Sequence, residues 1–269
     1  MSTHIHPTAI IHPTAKIDPT ASVDAYAIIG PKAELGPDCW VGSGAVVEFA
    51  RLGKGNKIHP HAFIGTPPQD LKYAGEETWL VMGDNNTVRE GATLNRGTST
   101  KETRVGSNCL FMTGTHIAHD CRLGSGIIMA NLATLAGHVH VGDSCVFGGF
   151  VAVHQFVNIG RYCMLGAGSK IGKDMPSFCM CQGDRATLRG LNLVGMRRAG
   201  LHRDTVSAIK EAYRTFFLSG LRVEEAAAKL RAGSPAPEVL EMVAQLETSK
   251  RGVTRPAPKG AQVEEEVTL

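Results

Sequence analysis

An aliphatic residue returns at every sixth position near the start of this 269-residue chain: Ile5, Ile11, Ile17, Val23, Ile29, Leu35, Val41 and Val47. The register slips once by one residue, resumes at Leu52, Ile58 and Ile64, and after a break returns at Met82, Val88 and Leu94. A third run is unbroken: Val105, Phe111, Ile117, Leu123, Met129, Leu135, Val141, Phe147, Val153, Ile159, Leu165 and Ile171. Hexapeptide periods are a signature of β-helices, in which each repeat buries its apolar side only by stacking on its neighbours.

The residue after the aliphatic one is often glycine, as at Gly30, Gly36, Gly42, Gly106, Gly124, Gly142, Gly160, Gly166 and Gly172, which predicts positive backbone dihedrals at tight corners. A second inward position, four residues after the aliphatic one, is small: Ala9, Ala15, Ala21, Ala27, Ala33, Cys39, Ala45, Cys109, Cys121, Cys145 and Cys163. One large and one small inward side chain per hexapeptide build a short flat strand between corners. This pattern resembles the hexapeptide-repeat acyltransferases, and the resemblance implies a left-handed parallel β-helix whose triangular coils hold three strands in eighteen residues.

The same register accounts for five of the seven cysteines as core thiols. Cys179 and Cys181 lie past the last clear repeat, lack the second ligand pair of a zinc site, and are read as structural too. Two insertions break the coils: a polar, proline-bearing stretch at 65–79, a candidate functional loop on a rigid scaffold, and a short one at 99–104. Beyond residue 182 the apolar spacing becomes helical, through Val206, Ile209, Ala212, Tyr213, Phe216 and Phe217, then Val223, Ala226, Ala227 and Leu230, then Val239, Leu240, Val243 and Leu246. The expected organisation is a β-helix over 1–182, a small helical domain over 183–250 and a disordered tail over 251–269.

No apolar run approaches the roughly 20 residues of a membrane-spanning helix, and Met1-Ser2-Thr3-His4 lacks the features of a signal peptide. A cytoplasmic protein without membrane insertion is expected, with reduced thiols. The net charge of +3 gives no argument for nucleic acid, and no nucleic-acid-binding motif is apparent.

Five of the eleven histidines, His116, His119, His138, His140 and His154, fall inside the unbroken repeat. With eighteen residues per coil, positions eighteen apart lie above one another at the strand spacing of about 4.8 Å. His119 therefore stacks beneath Gly137, with Gln155 one coil further, while His138 and His154 are one position off that column. A histidine titrates near neutrality and suits removal of a proton from a hydroxyl, and a glycine N–H suits an oxyanion. Asp120 can orient the imidazole, although neighbours on a strand normally point to opposite faces. His140, His202 and the N-terminal histidines His4, His6, His12, His59 and His61 read as structural or surface residues.

The strings Gln69-Asp70-Leu71-Lys72-Tyr73-Ala74-Gly75-Glu76, Asn95-Arg96-Gly97-Thr98, His116-Ile117-Ala118-His119-Asp120-Cys121, Leu135-Ala136-Gly137-His138-Val139 and Val153-His154-Gln155-Phe156 resemble the UDP-N-acetylglucosamine acyltransferases from the N-terminus to about residue 250. That resemblance implies transfer of a (3R)-3-hydroxyacyl chain from acyl carrier protein to the 3-OH of UDP-N-acetylglucosamine, the first step of lipid A biosynthesis, with no bound cofactor and no metal. The donor's acyl group rides on the carrier's phosphopantetheine. His119 is then the general base, Asp120 its orienting partner and Gly137 the oxyanion amide. His116, His138, His154 and Gln155 contact substrate, and Asn192 and Arg198 bind its nucleotide end. Asp70 and Lys72 reach the ligand across a subunit boundary of a homotrimer. The basic residues Arg189, Arg197, Arg198, Arg203, Lys210 and Arg214 offer a landing patch for the acidic carrier protein, or simply a solvated helix face.

The sequence departs from the family at three places. Ala199 follows Arg198 where relatives often carry a second basic residue; Arg185 stands at the acyl-chain end where histidine is commoner; and Ala167 occupies the position that sets acyl length, leaving medium and long chains both open. Two other reactions remain open. Some relatives acylate a 3-amino sugar, forming an amide. Carbonic anhydrases of the same fold bind zinc through three histidines, but the spacing of His116 and His119 does not match theirs.

Overall fold

The computed structural model describes residues 4–233 and 235–258. Twenty-six short parallel strands wind from His4–Ile5 to Lys170–Ile171 as a left-handed parallel β-helix, continued by the antiparallel pair Cys179–Gln182 and Thr187–Leu191. The strands form three faces of eleven, nine and eight strands, visited in that order on each turn of the chain. The register matches the eighteen-residue stacking: His116 pairs with Thr134 and Thr134 with Ala152, each in parallel. Every residue of the aliphatic series from Val23 to Ile171 is buried in one continuous core, each worth about 1.5–3 kcal/mol of burial. All seven cysteines are buried and free, and burial pushes the Cys121 and Cys181 thiols up to about 12, as inert core thiols require.

The nine glycines named above do not have positive φ, contrary to expectation. Positive φ falls two residues later, on side-chain-bearing residues such as Lys32, Asp38, Asn108, Asp120 and His138. The glycines serve close approach between coils instead. A Cβ on Gly36 would sit 2.6 Å from the Gly53 carbonyl oxygen, and one on Gly106 would sit 2.5 Å from that of Gly124.

The sheet extends past Gln182 through Thr187–Leu191, so the helical part begins about ten residues later than the spacing suggested. Four helices follow: α1 (Leu193–Arg198), α2 (Arg203–Phe217), α3 (Val223–Ala232) and α4 (Pro237–Thr248). Their apolar faces close a second core in which Ile209, Phe216, Ala226 and Val243 meet Phe178 of the β-helix. Arg161 donates to Glu241 at 2.7 Å, and Gln245 donates to the Met175 carbonyl at 2.7 Å, fastening α4 to the end of the coils.

The stretch 251–258, expected as part of a disordered tail, is ordered against the β-helix. Asp174 N–H donates to the Gly252 carbonyl, Thr254 N–H donates to that of Asp174 and Leu188 N–H to that of Arg255, while Thr254 is buried. These bonds satisfy edge groups that the terminal coil would otherwise leave unpaired. The remaining tail, 259–269, lies outside the described residues. Among the described residues no helix is long and apolar enough to cross a membrane.

Candidate active site

The edge between the nine-stranded and eight-stranded faces carries both insertions and the histidine cluster. On it, the loop after strand Phe63–Thr66, the turn after Thr93–Asn95 and the corners after His116–Ile117, Thr134–Leu135 and Ala152–Val153 succeed one another coil by coil. His119 occupies the third of these corners and Asp120 follows it with φ of 59°. That left-handed turn brings the two side chains to the same side, which strand alternation would have forbidden. His119 Nδ1 lies 2.9 Å from Asp120 Oδ2.

Asp120 has no exposed side-chain surface, yet it is densely hydrogen-bonded. Thr98 N–H (2.9 Å), Thr100 N–H (3.0 Å) and the Thr100 hydroxyl (2.6 Å) donate to Oδ1, and the Thr98 hydroxyl donates to Oδ2. Burial disfavours its charge, but the hydrogen bonds from Thr100, Thr98 and His119 outweigh burial and hold the carboxyl well below the usual carboxylate range. An ionised carboxylate accepts only, so Nδ1 of His119 carries its proton and Nε2 presents a lone pair.

Gly137 lies directly over that ring, as the stacking arithmetic predicts. A Cβ there would meet His119 Cε1 at 2.6 Å and Nε2 at 2.7 Å, so the column position tolerates only glycine while the imidazole stays in place. Among the described residues, no acceptor is found for the Gly137 N–H. His138 packs edge-on to His119 with ring centroids 5.3 Å apart, approaches Asp120 at 3.5 Å through Nε2, and stacks on Phe156 at 4.6 Å. His116 shares a 2.7 Å hydrogen bond with Thr93 Oγ1; burial, then the nearby His119, lowers its pKa and favours the neutral ring.

Asp70 sits beside His119 of its own chain, with Oδ2 4.0 Å from Nε2. Asp70 was expected to reach the ligand across a subunit boundary; within one chain the 65–79 loop leaves the nine-stranded face at the same edge, two coils before His119, and brings Asp70 to that imidazole. Lys72, next on the loop, is exposed. His154 and Gln155 are exposed on the coil beyond Gly137, and His154 shares an open groove of about 770 Å³ with Arg185, Lys170, Lys173 and the ordered segment at Val253 and Arg255.

The remaining predicted residues lie elsewhere on the chain. Asn192 is a helix cap: Oδ1 accepts from Gly195 N–H at 2.9 Å and Nδ2 donates to the Tyr162 carbonyl at 2.9 Å, which uses one of its two amide protons and holds the side chain in place. Tyr162 belongs to the edge between the eight- and eleven-stranded faces, so the exposed Arg198 at the end of α1 is not brought to His119 within one chain. Ala167 is exposed on the third edge. Arg189, Arg197, Arg203, Lys210 and Arg214 are exposed as well. Sequence reasoning missed Thr98, Thr100, Thr103 and Phe156; Thr103 Oγ1 accepts the Asp120 N–H at 2.8 Å. Thr98 and Phe156 lie within the family-like strings, which was the available signal, whereas Thr100 and Thr103 sit in an insertion the repeat does not place.

Comparison with known proteins agrees with this architecture. Residues 174–254 match the family model described as UDP N-acetylglucosamine O-acyltransferase, domain 2. The chain is 42% identical over 204 residues to the acyl-(acyl-carrier-protein)–UDP-N-acetylglucosamine O-acyltransferase of Aliarcobacter butzleri, covering 75% of this chain and 78% of that one. It is 46% identical over 213 residues to the enzyme of the same name from Anaeromyxobacter sp., covering 76% and 80%. The solved LpxA of Acinetobacter baumannii superposes with a TM-score of 0.91 at 42% identity, covering 93% of this chain and 99% of that one. The UDP-N-acetylglucosamine acyltransferase of Campylobacter jejuni gives 0.89 at 38% identity, covering 94% and 100%. The chain belongs to the UDP-N-acetylglucosamine O-acyltransferase family.

Proposed function

We propose that this enzyme transfers a (3R)-3-hydroxyacyl chain from acyl carrier protein to the 3-OH of UDP-N-acetylglucosamine, the opening step of lipid A biosynthesis, with His119 as general base. The observation that carries this assignment of roles is the imidazole fixed through Nδ1 by a buried carboxylate, with its Cε1–Nε2 edge packed against the bare Cα of Gly137. His119 Nε2 takes the proton of the sugar 3-OH as its oxygen attacks the thioester carbonyl. The Gly137 N–H receives the developing oxyanion, and collapse expels the phosphopantetheine thiolate, which recovers the proton from the imidazolium. A general base typically supplies about 10²–10⁴ in rate and one oxyanion donor about 10²–10³. No covalent enzyme intermediate is needed, and the buried cysteines offer no competing nucleophile.

Asp70, Lys72, His116, His138, His154 and Gln155 contact substrate in this reading, Ala167 and Arg185 bear on acyl length, and Arg198 enters from a neighbouring copy. A homotrimer fits that division, because Arg198 and Ala167 stand on edges other than that of His119. A vertical apolar ladder on the eleven-stranded face, Leu110–Ile128–Val146–Met164–Met180, joined strand to strand and partly exposed, supplies a surface for such packing. A cytoplasmic location follows from the cytoplasmic substrates of this reaction. The organisation into coils, helical domain and C-terminal segment fits a rigid cleft with a separate docking surface for the carrier protein.

His119, Asp120 and His138 place ligand atoms within 4.8 Å of one another, but Asp120 is engaged by two threonines and by Nδ1–H, which favours a hydrogen-bonded catalytic pair over a zinc set. The deciding experiment is a product mass assay with UDP-N-acetylglucosamine, its 3-amino analogue and 3-hydroxyacyl carrier proteins of several lengths. An ester on the 3-OH, lost in His119→Ala while the fold persists, supports the reading; an amide alone reassigns the acceptor, and transfer to neither refutes it.

A further inference from the structure

We propose that Arg96 is a positioning residue, which through Tyr73 fixes the loop that holds Asp70 against the imidazole of His119. The inference rests on the acyl-transfer reading above and concerns how one carboxylate of that site is held in place.

Residues 69–77 include no buried residue, and Leu71 at the tip is fully exposed, so apolar packing does not determine where Asp70 stands. Beside a surface ion pair of Lys32 with Glu77 at the end of the loop, a buried cation supplies the constraint nearest Asp70. Arg96 follows strand Thr93–Asn95 on the same edge and is 7% exposed. Its Nη1 donates to Glu48 Oε1 at 3.1 Å and to the Gly65 carbonyl at 2.9 Å, on the body of the coil. Its other side faces the loop: Nε and Nη2 donate to the Tyr73 hydroxyl at 3.2 and 3.0 Å. The guanidinium also lies 4.4 Å from the Phe49 ring centroid.

From Tyr73 the constraint continues to the carboxylate. The Tyr73 hydroxyl donates to the Glu76 carbonyl at 2.8 Å, the Tyr73 N–H donates to the Asp70 carbonyl at 3.1 Å, and the Lys72 N–H donates to Asp70 Oδ1 at 3.0 Å. The turn is thus closed on itself and clamped to the coil, leaving Oδ2 4.0 Å from His119 Nε2. That gap is too long for a direct hydrogen bond, so Oδ2 is left to accept from the substrate rather than from the imidazole. Arginine suits the role because its planar fork serves two directions at once, which an ammonium on a flexible stem does not.

The test compares Tyr73→Phe, Asp70→Asn, the double variant and Arg96→Lys. Tyr73→Phe keeps the ring and removes only the hydroxyl, so it stands even where Arg96→Lys fails to fold. Losing a hydrogen bond to a charged group predicts a fall in kcat/KM of about tenfold for Tyr73→Phe, with an unchanged pH profile. In the Asp70→Asn background the same substitution should cost almost nothing further. Multiplicative losses in the double variant, or full activity of Tyr73→Phe, overturn the proposal. Hydrogen exchange of the Lys72 and Tyr73 amides gives a readout independent of turnover. Faster exchange in Tyr73→Phe is expected, and unchanged exchange overturns the clasp. Should the native enzyme transfer no acyl group, the acyl-transfer reading fails while the exchange measurement still decides the clasp.

Discussion

Adding one methyl group at Gly137 separates the position of the imidazole from every other property of the site. Gly137 does not lie in the left-handed region, so alanine meets no backbone penalty there. The new Cβ would, however, fall 2.6 Å from His119 Cε1 and 2.7 Å from Nε2, against an ordinary carbon contact of about 3.5–4.0 Å. The ring must therefore retreat by about 1 Å, a misplacement that can cost about 10² in rate. Where the retreat also breaks the bond from Nδ1 to Asp120, the loss extends toward the full contribution of a general base, about 10²–10⁴. The contact is with the end of a side chain that borders the cleft, not with backbone, so stability should fall by no more than about 1–3 kcal/mol, the value of one hydrogen bond to a charged group. Alanine retains the N–H, so the oxyanion donor survives. The assay is kcat for Gly137→Ala with acyl carrier protein at saturation, beside a thermal melt. A kcat within about twofold of the native enzyme, on a protein that melts normally, would refute the placement of the catalytic imidazole over Gly137.

Asp120→Asn keeps the shape of the pair but leaves Thr98 and Thr100 donating to an amide, and kcat should fall by about 10²–10⁴, as for other histidines deprived of their carboxylate. Because hydrogen bonding lowers the Asp120 pKa in the fold, its contribution to stability is present above the unfolded carboxyl value near 3.9 and is lost as pH falls through the lower folded value. The difference in melting temperature between native enzyme and Asp120→Asn should therefore hold steady from pH 7 to about pH 5 and shrink below about pH 4; a difference that grows on acidification contradicts this. Thr98→Val and Thr100→Val each remove a hydroxyl donor, so the titration of the Asp120 carboxyl in the folded protein, followed by carboxyl NMR, should move to higher pH in both, and an unmoved titration would show that these hydroxyls do not support the charge. Ile128→Asp puts a carboxylate in the apolar ladder on the eleven-stranded face and should convert the proposed trimer to monomers by light scattering, with the coil's circular dichroism preserved.

The parts of this molecule that its sequence discloses are those governed by a single period. Ile117, Leu135 and Val153 recur at eighteen residues, and because parallel coils stack in register, the same arithmetic that buries them sets Gly137 above His119. The corner conformation follows the period too, with positive φ at residues 108, 114, 120, 126, 132 and 138, but the alternation rule for strands, applied to His119 and Asp120, does not hold at such a corner. Asp120 shares a side with His119 only because it adopts φ of 59°, a choice made by the corner and rewarded by two threonines from a neighbouring coil. Thr100 belongs to an insertion, and insertions have no register to extrapolate. Asp70 was legible as a functional residue by resemblance, but its place beside the same chain's imidazole depends on a loop whose position is set by polar contacts through Arg96 and Tyr73. The capping role of Asn192 was not legible for a related reason: an asparagine before a short helix can meet a ligand or cap, and the Tyr162 carbonyl and Gly195 amide that it engages lie thirty and three residues away. In this molecule the repetition specifies the scaffold and stacks Gly137 on His119, while Thr100 and Asp70, which surround that pair, come from insertions on the same edge, so the site is found by asking which insertions share an edge with the histidine column.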